Sequence, residues 1–95
     1  MRVRGIRGAT QLEADSSAEM IDAVSQLLSE MLSANGVKTE DLISIILTST
    51  PDLTSEFPAV AARKIGLGSV PLLCAVEIDV KGSLQKVVRV LMHAH

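Results

Sequence analysis

The 95-residue chain is 47% apolar, with 9 basic and 11 acidic side chains and a net charge of −2. That describes one folded domain rather than a disordered segment, and one short enough that oligomerisation is an expected source of extra burial. The balanced charge and a single aromatic residue, Phe57, with no Trp or Tyr, exclude the basic footprint and stacking platform that nucleic acids require. One cysteine, Cys74, excludes an internal disulfide and fits a reducing compartment. No apolar run approaches a membrane span, and Met1 is followed by charges instead of a leader's apolar stretch. The expected setting is the cytoplasm, with neither membrane nor nucleic acid as a partner.

The first stretch, MRVRGIRGAT, reads as a strand over residues 2–8. Alternation puts Arg2, Arg4, Ile6 and Gly8 on one face and Val3, Gly5 and Arg7 on the other. Arg7 is thereby separated from its two neighbours. A turn-rich passage, GATQLEADS, leads to Ser16, and Ser16-Ser17-Ala18-Glu19 has the spacing of a capping box. Met20, Ile21, Val24, Leu27, Leu28 and Met31 then form one apolar helix face, with Asp22, Gln26, Ser29 and Glu30 outside. Asn35-Gly36 suits the helix end, and Thr39-Glu40-Asp41 a short capped turn.

ISIILTST (43–50) is a strand, apolar on both faces at its start and so expected to be central. Pro51 in TPDL breaks it. Pro58 suits the first turn of a second helix, running through AVAARKI to Gly66 and Gly68. PLLCAVEIDV (71–80) reads as a strand, KGS as a turn and LQKVVRVLMHAH (84–95) as the last strand. The order β-α-β-α-β-β predicts an α+β domain, a mixed β-sheet packed with helices on one side.

The common catalytic devices lack their parts. There is no phosphate-cradling glycine motif and no metal-ligand spacing. His93 and His95 read as a chain end rather than a metal site. Cys74, between Leu73 and Ala75, has no histidine near it in sequence and reads as an inert thiol. What stands out is charge on apolar strands: Arg7, Glu77 within LLCAVEIDV and Arg89 within KVVRVLMH. Such residues are seldom buried unpaired. Each could form an internal salt bridge or reach solvent from a strand edge. Three of them on three strands make an anionic ligand held by arginines a competing reading, since the guanidinium fork matches carboxylates.

RGIRGAT, TPDL followed by FPAVAAR, and PLLCAVEIDVKGSL followed by VVRVLMH resemble, in order, the trimeric α/β class of chorismate mutase. The likeness runs from residue 2 to about residue 94. It implies a homotrimer with a pseudo-α/β-barrel core and active sites in clefts between subunits. The implied reaction is the intramolecular rearrangement of chorismate to prephenate, on the route to aromatic amino acids, with no cofactor. Such a reaction needs no nucleophile, metal or proton transfer. It needs the reactive conformer held and the charge growing on the ether oxygen stabilised.

Carried over by position, Arg89 matches the arginine that donates to the ether oxygen. Glu77 matches the carboxylate that accepts from the ring hydroxyl, and Arg7 the arginine that binds a substrate carboxylate. Cys74 matches a pocket thiol near Glu77. Phe57, Ala59 and Arg63 match the wall supplied by the adjacent subunit, and Leu73 lines the cleft. Because Cys74 and Glu77 are three apart, a regular strand would set them on opposite faces. An irregularity is therefore expected between residues 73 and 78.

Some relatives carry lysine in place of Val60 and glutamine in place of Val76. The family also continues past the last strand into a helical turn and a tail that supplies a tyrosine to the cleft. The present sequence ends at His95 without any tyrosine, so activity with a raised KM is the expectation. Two other classes stand beside the enzyme: a non-catalytic trimeric protein that senses a small anion in the same cleft, and an imine deaminase of related architecture.

Overall fold

Strand β1 (Arg4–Gln11) leads to helix α1 (Ser17–Ala34), a 3-10 turn (Thr39–Asp41), strand β2 (Leu42–Ser49), helix α2 (Ala59–Lys64), strand β3 (Leu72–Val76) and strand β4 (Val87–Ala94). This architecture comes from a computed structural model that describes residues 2–95. The sheet order is β1-β4-β2-β3. β4 runs antiparallel to both β1 and β2, and β3 runs parallel to β2. The sheet is mixed and β2 is central, as its two apolar faces predict.

Strand limits differ from the sequence reading. β1 extends past Gly8 to Gln11, because Gly8–Gln11 pair with Val90–Val87. β3 stops at Val76 instead of running to residue 80, because β2, its pairing partner, ends at Ser49. α2 is six residues long and begins after Pro58.

α1 forms as its pattern requires. Ser16 Oγ accepts from Glu19 N at 3.1 Å, the first half of the capping box. The Glu19 carboxylate turns instead to Glu13 N, so the reciprocal half ties the helix start to the end of β1. Met20, Val24, Leu28 and Met31 are buried against Ile45 and Leu47 of β2 and Val88, Val90 and Met92 of β4. A Cβ on Gly8 would lie 2.8 Å from Met31 Sδ, which is how closely α1 settles on β1. At the helix end, Gly36 takes the left-handed φ of 61°. Arg4 donates to the carbonyls of Asn35 and His95, a structural role.

Both helices therefore lie on one face of the sheet. The inward set on β4 is Val88, Val90, Met92 and Ala94, all buried, and Arg89 and Leu91 are exposed on the other face. The start of β4 is held by the TPD turn. Thr50 N donates to Val87 O, and Val87 N donates to Thr50 Oγ1. Asp52 Oδ2 accepts from Lys86 N at 2.9 Å, which supports the positive φ of 56° at Lys86, a conformation costing a non-glycine residue about 1–2 kcal/mol.

A second latch fixes the segment between β2 and α2. The Asp15 carboxylate accepts from Thr54 N, Thr54 Oγ1 and Ser55 N. Ser17 Oγ donates to Glu56 Oε2, and Phe57 N to Glu56 Oε1. The loop that carries Phe57 is thus tied to the start of α1. Partial burial opposes ionisation of Asp15, but the hydrogen bonds from Thr54 and Ser55 outweigh it and hold its pKa below the ordinary 3.8. No helix among the described residues is long and apolar enough to cross a membrane.

Two predictions follow the packing and the latch. Leu47, fully buried on the central strand, should cost about 2–5 kcal/mol of stability when changed to Ala; urea unfolding measures this, and a loss under about 1 kcal/mol would contradict the packing. Because the folded pKa of Asp15 is depressed, its contribution is fully present above about pH 3.8 and is lost as pH falls through the folded value. The stability gap between the parent chain and Asp15→Ala should therefore be constant near neutrality and close in acid. A gap that widens on acidification would refute the latch.

Candidate active site

The face of the sheet away from the helices is built by alternation. Arg7 on β1 opposes Leu91 on β4, and Ala9 opposes Arg89, so the two arginines are diagonal neighbours across one strand pair. On the other side of β4, Thr48 opposes Arg89 and Ile46 opposes Leu91. Together these residues line an open recess of about 700 Å³. β3 adds Leu73 beside Ile46, 62% exposed.

Glu77 closes one end of this face. It is the first residue beyond β3, and its amide donates to Ser49 O at 2.9 Å. Its Oε1 is paired with Arg89 Nη1, and its Oε2 accepts from Thr48 Oγ1 at 2.6 Å. The carboxylate is mostly buried while the Arg89 side chain is 49% exposed. A carboxylate with two partners is held in place, and the cation beside it still faces solvent. Arg7 makes no ion pair among the described residues. Two guanidinium groups on one concave face, one of them steadied by a carboxylate, can hold a small dianion and direct donors at charge that develops within it.

A second concavity of about 360 Å³ lies on the other side of β3, between that strand and the 53–58 loop. Phe57, Pro58 and Cys74 line it, and Phe57 is 69% exposed. Cys74 opposes Leu47 and shares its inward face. The expected bulge is absent: pairing is regular through Ser49 and Val76. The strand simply ends, and Glu77 keeps the outward direction of Leu73 and Ala75. Cys74 therefore does not meet Glu77 within one chain, contrary to the expectation of a shared pocket, because the period-2 pleat separates them.

The remaining expected residues divide similarly. Arg63 is exposed at the end of α2. Ala59 is buried in the core at 4% exposure, so it does not itself present a surface beside Phe57. His93 Nδ1 lies 3.3 Å from Ser44 Oγ. Within one chain, then, the fold brings Arg7, Glu77, Arg89 and Leu73 to one face and leaves Phe57, Cys74 and Arg63 elsewhere. Thr48 was not singled out from the sequence. A polar residue on the outward set of a mostly aliphatic strand was the available signal, but its partner depends on the β2–β3 register.

Comparison with known proteins identifies the family. Residues 3–95 match the family described as chorismate mutase type I. The chain is 53% identical over 90 residues to the chorismate mutase AroH of Thermus thermophilus, covering 94% of this chain and 74% of that protein. It is 44% identical over 93 residues to the chorismate mutase AroH of Bacillus subtilis, covering 97% and 73%. The solved structure of a Clostridium thermocellum chorismate mutase superposes with a TM-score of 0.94 at 47% identity, over 96% of this chain and 81% of that one. A Rid-family protein from Yersinia pestis, of unknown function, reaches a TM-score of 0.61 at 13% identity, over 99% and 78% of the two chains, which shows the shared fold alone. With a family match over nearly its whole length and the outward arginine–glutamate face in place, the chain belongs to the type I chorismate mutases.

Proposed function

We propose that the chain rearranges chorismate to prephenate on its outward sheet face, with Arg89, Glu77 and Arg7 as catalytic residues, in clefts between the copies of a homotrimer. The activity is that of the family, and the named relatives are enzymes, which leaves the metabolite-sensor reading without an observation in its favour. The observation that carries the assignment of residues is the Arg89–Glu77 pair beside Arg7, which has no ion pair among the described residues, on one open recess.

In this reading Arg7 binds a substrate carboxylate by its planar fork. Glu77 accepts from the ring hydroxyl and holds Arg89. Arg89 donates to the ether oxygen as the C–O bond lengthens and negative charge grows there. Because the reaction is intramolecular, most of the work is restriction of a flexible dianion to its compact reactive conformer. Side chains on paired strands suit that task, since the sheet fixes their spacing before the substrate arrives.

Two features support the shared cleft. Leu73, Leu91 and Ile46 leave an apolar sheet face open to solvent in the single chain, the kind of surface that association covers. The second concavity, with Phe57 and Cys74, lies on the opposite face from the arginines, so it can close over a recess only on a neighbouring copy. Phe57, Cys74 and Arg63 of one subunit would then wall the site whose arginines belong to the next. The single cysteine and the family's biosynthetic role support a cytoplasmic setting.

Three measurements test this reading. The protein should speed the loss of chorismate's absorbance. Changing Arg89 to Ala should lower kcat by about 10²–10³, equivalent to roughly 2.7–4 kcal/mol; a loss under about threefold would remove Arg89 from the proposed role. Sedimentation equilibrium should return three times the 10.1 kDa chain mass, and an active monomer would refute the shared cleft.

A further inference from the structure

We infer that Thr48 is a positioning residue: by turning one oxygen of Glu77 toward β2, it keeps the Arg89 guanidinium from closing squarely on that carboxylate and so leaves donors free for the substrate. The inference rests on the assignment of Arg89 and Glu77 to the active face.

A guanidinium carries five N–H donors in a planar fork and ordinarily takes a carboxylate by both oxygens. Arg89 does not. Its contact with Glu77 runs through Nη1 to Oε1 alone, while Oε2 is turned toward β2, where Thr48 Oγ1 donates to it at 2.6 Å. The register sets the hydroxyl there. Thr48 opposes Arg89 on β4 and Ala75 on β3, so its hydroxyl stands between the strand that carries the cation and the one that leads to the anion. Glu77 has left the ladder, and the next residue, Ile78, is 87% exposed. β2 nevertheless holds Glu77 twice, through Ser49 O to its amide and through Thr48 Oγ1 to its carboxylate. Without the hydroxyl, the carboxylate can rotate to meet the fork squarely. The stronger ion pair that results would turn Arg89 inward and spend the donors that the ether oxygen needs.

The test compares Thr48→Val, which keeps the β-branched shape but loses the donor, with Thr48→Ser, which keeps the donor. Steady-state kinetics with chorismate should show kcat lowered about 10- to 100-fold in Thr48→Val, the span of a lost hydrogen bond to a charged group. Thr48→Ser should stay within about threefold of the parent, and both variants should melt near the parent temperature. In a Glu77→Ala background the valine change should have almost no further effect, since the residue acts through that carboxylate. A general structural role would lower activity in both backgrounds and would not be rescued by serine; either result overturns the inference. If Arg89→Ala abolishes turnover while Thr48→Val keeps the parent kcat, the inference alone falls. If Arg89→Ala itself leaves turnover intact, the assignment of the face falls and takes this inference with it. Should Thr48→Val not fold, Thr48→Ala makes the same comparison.

Discussion

Alternation along β4 sends Val88, Val90, Met92 and Ala94 into the core and turns Arg89, Leu91 and His93 to the other face, and the rest of the molecule is arranged around that split. The inward set anchors the strand beneath α1. Once it is anchored, a cation on the opposite face has no freedom to slide, because a register shift of one residue would exchange the two faces entirely. The TPD turn protects this register at its start, where Thr50 and Asp52 grip Val87 and Lys86. A motif that looks like a simple strand breaker is thus part of what aims Arg89.

The same logic explains why the proposed site is spread over four segments of the chain. A pericyclic rearrangement asks for fixed donors and a fixed shape more than for reactive groups. Strands supply that fixity cheaply, since neighbouring strands lock one another in two dimensions. Arg7 comes from the edge strand β1, Arg89 from β4 and Thr48 from β2, while Glu77 hangs just past β3. The loop with Phe57 has no ladder to hold it. Asp15, Ser17 and Glu56 do that work through side-chain hydrogen bonds instead.

Much of the candidate site was legible in the residues. Three charges on apolar strands called for explanation, and the two-residue period separated Arg7 from Arg2 and Arg4. Alternation also warned that Cys74 and Glu77 face apart, and that warning proved better than the expected bulge. Ala59 shows the reverse case. Nothing in FPAVAAR distinguishes an alanine under the wall from one on it, because a small apolar residue fits both. Thr48 and Asp15 were missed for a common reason: each acts on a partner at least 29 residues away, and which partner it meets depends on strand order and register.

Periodicity and capping by themselves determined the order of helices and strands and the face that separates Arg7 from Arg2 and Arg4, because those depend on neighbours along the chain; the strand limits followed the pairing instead. The strand order β1-β4-β2-β3, the pairing of Arg89 with Glu77 and the separation of the Phe57 concavity from the arginine face were decided only by tertiary structure. Each requires residues distant in sequence to be set side by side, and local preference is silent about which distant strand a given strand will pair with.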